Sequence, residues 1–76
     1  MKFEELDDQQ VKAALCLLEF AGIEPTDENA RHYLDWEILS FTEDAYGRYC
    51  WYADETGNEA CVKVDTLEEV DVSDLE

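Results

Sequence analysis

Arg48-Tyr49-Cys50-Trp51-Tyr52-Ala53-Asp54-Glu55-Thr56-Gly57-Asn58-Glu59-Ala60-Cys61-Val62-Lys63-Val64-Asp65 is the stretch that decides the fold of this chain. Tyr49, Trp51 and Ala53 alternate with Arg48, Cys50, Tyr52 and Asp54. Ala60, Val62 and Val64 alternate in the same way with Glu59, Cys61, Lys63 and Asp65. A period of two marks a strand that buries one face. Between the two runs, Glu55-Thr56-Gly57-Asn58 supplies the residues of a hairpin turn. With Asp54 opposite Glu59, the pairs Ala53/Ala60, Trp51/Val62 and Tyr49/Val64 share one face, and Arg48 meets Asp65 as an ion pair. A slip of one residue would put the apolar sets on opposite faces. The expectation is a hairpin over 48–54 and 59–65, with the Tyr49/Trp51/Val62 face inward, Arg48 and Lys63 on the open face, and Tyr52 outward.

Upstream, Glu37-Ile38-Leu39-Ser40-Phe41-Thr42-Glu43 reads as a third strand with Leu39 and Phe41 on one face. Asp44-Ala45-Tyr46-Gly47 closes it onto the hairpin. Further back the period changes. Val11, Ala14, Leu15, Leu18 and Ala21 follow helical spacing over 8–21, with Leu17 and Phe20 widening the stripe. Asp7 and Asp8 suit the helix start, and Gly22 with Pro25 its end. A second helix is predicted from Asp27 to about Asp35, capped by Thr26, with Ala30, Tyr33 and Leu34 inward. The fold class is therefore α+β: two N-terminal helices on a three-stranded antiparallel sheet, ααβββ, as one small domain over 1–65. Residues 66–76 form an acidic C-terminal tail whose loose alternation (Leu67, Val70, Val72, Leu75) allows partial docking.

Twenty-one Asp and Glu oppose five Lys and Arg, a net charge of −16 over 76 residues. Disordered acidic segments are poor in aromatics, whereas this chain is 46% hydrophobic and 12% aromatic with one proline, so it is expected to fold. Cys16, Cys50 and Cys61 are odd in number and form no C-x-x-C pair, which suits a reduced, cytoplasmic setting better than a disulfide framework. Lys2 is followed at once by Glu4 and Glu5, unlike a secretory signal, and the apolar run 13–18 is too short for a bilayer.

No catalytic or metal motif stands out. Adjacent acids such as Glu43-Asp44 arise from composition alone, and a chain this short lacks the walls to dry an acid/base pair. His32, the one histidine, reads as a partly exposed helix residue without zinc-ligand spacing. The turn 54–59 puts glycine in the fourth place, not the sixth that a calcium loop requires. No enzyme, metal or cofactor is expected. The aromatics around Tyr46 and Tyr49 lack the positive groove of a nucleic-acid platform, so direct nucleic-acid and membrane binding are not expected. Tyr46 and Tyr52 are candidate interface anchors.

The charge then has to be explained. A compact chain of this length has a radius of gyration near ~11 Å and so a diameter of roughly 30 Å. That length of duplex DNA carries about 18 phosphate charges. In size, charge and compact α+β character, along its whole length, the chain resembles the small acidic DNA mimics of phages, above all the short anti-CRISPR proteins. The resemblance implies a non-enzymatic inhibitor, a monomer or small homo-oligomer in the bacterial cytoplasm. It would occlude the positively charged DNA- or PAM-binding groove of a nucleic-acid-binding complex, a CRISPR-Cas effector subunit in the first place. The phosphate-mimicking acids are expected at Asp27, Glu28, Asp35, Glu37, Glu43, Asp44, Asp54, Glu55 and Glu59. The alternative is an acidic immunity or adaptor protein for a basic protein surface, such as that of a nuclease toxin.

Overall fold

Helix α1 (Asp8–Phe20) begins where the Asp7 carboxylate accepts the Gln10 N–H at 2.7 Å and the Gln10 Oε1 accepts the Asp7 N–H at 3.0 Å. This reciprocal cap occupies two of the N–H groups a helix start leaves unpaired. The computed structural model describes residues 2–71 and is α+β. At the far end of α1, Gly22 takes φ +79°, and Ile23 N–H turns back to the Leu18 carbonyl at 2.9 Å. Only a residue without Cβ enters that conformation freely, so the helix stops there. Helix α2 (Asp27–Asp35) starts on Thr26, whose hydroxyl accepts the Asn29 N–H at 3.2 Å. It closes through Ile38 N–H to the Tyr33 carbonyl at 2.9 Å, and here the left-handed residue is Glu37, at φ +61°.

The sheet is antiparallel, in chain order: β1 (Leu39–Asp44), β2 (Gly47–Ala53), β3 (Glu59–Lys63) and β4 (Glu69–Val70). It has four strands rather than the expected three, because Leu67 N–H caps back on the Lys63 carbonyl and residues assigned to the tail return along β3. Val72 and Leu75 lie outside the described residues.

The β2–β3 register differs by one residue from the sequence expectation. Ala53 pairs with Glu59, Tyr52 with Ala60, Trp51 with Cys61 and Cys50 with Val62. The cause is the turn. Asp54 N–H bonds to the Asn58 carbonyl at 3.0 Å, so the loop holds three residues rather than four, with Gly57 at φ +91°. Ala60, Val62 and Val64 still face the helices, so the shorter loop turns β2 over. Cys50 and Tyr52 point inward, while Tyr49 and Trp51 lie on the outer sheet face beside Lys63 and Cys61. Arg48 also leaves the open face. Its guanidinium meets Asp65, as expected, and additionally reaches Asp7 at the start of α1, both at 2.7 Å.

The core joins Ala13, Ala14, Leu17 and Leu18 of α1 and Ala30 and Leu34 of α2 to Leu39, Cys50, Tyr52, Val62 and Val64 of the sheet. Burying a side chain the size of Leu17 or Val62 contributes about 1.5–3 kcal/mol relative to exposure. Phe20, expected in the α1 stripe, is the last residue of the helix and stands 51% exposed.

Candidate functional site

The two hairpin turns lie at opposite ends of the sheet and divide the candidate acids between them. At one end Ala45 and Tyr46 form a two-residue loop between Asp44 and its partner Gly47. The Asp44 carboxylate accepts the Tyr46 N–H at 2.8 Å, a local bond that aspartate at a turn start supplies. Glu43 stays exposed on the strand before it, and Tyr46 projects at the tip, 88% exposed. The same end carries Asp7, whose carboxyl is held below the usual carboxylate range by the Gln10 N–H and by the Arg48 side chain. Arg48 is in turn held in its charged form, first by Asp65 and then by Asp7.

At the other end Asp54 organises the β2–β3 turn. Its Oδ1 accepts Thr56 N–H at 2.9 Å, the Thr56 hydroxyl at 2.6 Å and Asn58 N–H at 3.0 Å. Its Oδ2 accepts the Tyr52 hydroxyl at 3.0 Å and the Asn58 amide at 3.3 Å. These bonds, with the Thr56 hydroxyl foremost, hold the carboxyl down at about 2. Asp54 is a turn clamp, with both oxygens committed to the fold. Tyr52, expected outward as an interface anchor, is 6% exposed, and burial together with Asp54 pushes its phenol up to about 12. The register explains the correction, since the one-residue shift turns Tyr52 into the core.

Glu55 is exposed beside this clamp and faces the C-terminal end of α2. His32, Tyr33, Trp36, Ile38, Tyr52, Asp54, Glu55 and Thr56 line a shallow, open groove of about 310 Å³ there. Trp36 is 64% exposed, between the exposed acids Asp35 and Glu37. Asp27 and Glu28 occupy the first turn of α2, where carboxylates suit the positive end of the helix dipole. Glu59 lies at the same end of the sheet as Asp54, as the first residue of β3 after the turn and opposite Ala53. It lines a shallow groove of about 560 Å³ along the β3–β4 edge with Glu69 and Asp71, two acids the sequence pattern did not single out. The candidate acids therefore spread over both ends of the sheet and both ends of α2 and form no single cluster.

The cysteines offer no activated nucleophile. Burial pushes Cys50 up to about 12 and Cys61 up to about 11, and raises Cys16 with help from Glu19 and Glu69. Among the described residues, no three His, Cys, Asp or Glu side chains are grouped to hold a metal ion, and no helix is long and apolar enough to cross a membrane. Trp36 and His32 are the site residues that the pattern undervalued. They lie off the Ala30/Tyr33/Leu34 stripe, and a large aromatic off the buried stripe was the available signal.

The geometry defines a class, a small α+β domain of two helices on a four-stranded antiparallel sheet with acids over its surface. Comparison of the chain with protein-family models, curated proteins and solved structures found no match.

Proposed function

We propose that this protein is a non-catalytic DNA mimic that occludes the positively charged DNA- or PAM-binding groove of a nucleic-acid-binding complex, a CRISPR-Cas effector being the leading candidate. One observation carries the reading: the chain has a formal charge of −16, and 19 of its 21 Asp and Glu fall among the described residues of a fold of 30 × 28 × 18 Å. A duplex segment of that length carries about 18 charges, so the domain offers a basic groove a similar charge over a similar length. A folded scaffold adds fast, steered association, and its ordered backbone lowers the entropy lost on binding. Glu43, Glu55, Asp27, Glu28, Asp35 and Glu37 are exposed and stand in for phosphates; Asp44 and Glu59 extend that surface.

The test begins with a pull-down from bacterial lysate and continues with labelled target DNA on the captured protein. The chain is expected to displace the DNA, with affinity falling steeply between low and moderate salt. Glu43→Lys with Asp44→Lys should weaken binding far more than Leu39→Ile, which touches only packing. Binding that ignores salt, at a site where DNA stays bound, would sink groove occlusion. A second reading, an acidic immunity or adaptor protein, draws support from the exposed Trp36, since interfaces between proteins favour aromatic anchors.

A further inference from the structure

Four rings stand in a row where the β2–β3 turn meets the end of α2. Trp36 lies 5.0 Å from His32, His32 5.3 Å from Tyr33, and Tyr33 6.3 Å from Tyr52. The row descends from the exposed indole to the buried phenol, so its inner end is fixed by the core and by Asp54. Glu55, an exposed residue, lines the same groove.

An exposed tryptophan is not required for solubility, and Glu55 in the same groove is poor company for an apolar ligand. A second copy of this chain would bring another 16 negative charges to the groove. What combines with both an aromatic face and a carboxylate is a cation. Tryptophan is the strongest aromatic partner for one, and arginine stacks on rings better than lysine because its guanidinium is planar and weakly hydrated. The fold already makes this contact once. Arg31, on the same helix, stands over the Phe3 ring at 5.3 Å while pairing with Glu4 at 3.3 Å.

We propose that the groove between Trp36 and Glu55 receives an arginine side chain of the partner, its guanidinium stacked on the indole and paired with the carboxylate. The proposal rests on the partner's presenting a basic protein surface, and does not require that surface to be a nucleic-acid groove. Charge alone treats arginine and lysine alike. The groove discriminates between them.

The test is a titration of the ¹⁵N-labelled full chain with oligo-arginine and oligo-lysine peptides of equal length at low salt. The arginine peptide should bind about three- to tenfold more tightly, moving the Trp36 indole N–H and the Glu55 and Thr56 amides. Trp36→Leu, at a mostly exposed position, should remove that preference and leave the lysine peptide's affinity within about twofold. Glu55→Gln should weaken the arginine peptide more than Glu19→Gln does. Equal affinities with shifts scattered over the acidic surface would overturn the proposal, as would a preference that survives Trp36→Leu. No nucleic acid enters this experiment. Arginine preference without displacement of DNA refutes the mimic and keeps the groove; displacement without preference does the reverse.

Discussion

Asp54 shows how one side chain sets the geometry of a whole sheet. Its two oxygens accept five hydrogen bonds, four of them from Thr56 and Asn58, and they fix the three-residue loop that decides which face of β2 is buried. The carboxyl sits at about 2 in the fold against an ordinary 3.8. A depressed carboxylate stabilises the fold fully above its unfolded value, and that contribution is lost as pH falls through the folded one. Asp54→Ala should therefore lower Tm clearly at pH 6, and the gap to the parent should narrow as pH drops from about 4 to about 2. Thermal melts across that range check it. A gap that stays constant with pH would mean that the carboxylate's charge has no part in the turn.

The C-terminal end of α2 is closed by an element that usually employs glycine. Glu37 occupies the left-handed position at φ +61°, where a side chain costs about 1–2 kcal/mol. Glu37→Gly should raise stability by about 1 kcal/mol in chemical denaturation, offset by the greater freedom that glycine gives the unfolded chain. If Glu37 contacts the partner, the same variant binds it less well. A neutral or destabilising result would show that the Glu37 side chain makes contacts that outweigh the strain. The elements themselves were legible: α2 runs over the predicted residues, and α1 ends within one residue of its reading, because caps and stripe agreed. The register was not. Both faces of β2 carry aromatics, so alternation could not choose between Tyr49/Trp51 and Cys50/Tyr52, and the choice fell to a turn whose length depends on side-chain hydrogen bonds. β4 escaped notice because a two-residue strand has no period to read. At the candidate site, the exposed acids were legible from composition, while the Trp36 groove needed the approach of α2 to the β2–β3 turn.

The charge acts on the molecule as a whole, in two opposite senses. Screening reaches about 10 Å at 0.1 M salt, well inside the 30 Å extent of the domain, so added salt removes most repulsion across the molecule and keeps close pairs such as Arg48–Asp7. Sodium chloride should therefore raise Tm while weakening the hold on a basic partner. Melting curves in rising salt check the first half, and a flat or falling Tm would mean that self-repulsion is not what limits stability. The sheet edges bring a further consequence. β1 and the short β4 each present backbone groups that another chain could pair with, and such edges seed fibrous growth unless charge keeps copies apart. Here Glu43 and Asp44 guard one edge and Glu69 the other. The carboxylates that we propose meet a basic partner thus also stand where a second copy would pair, and their repulsion holds that copy off.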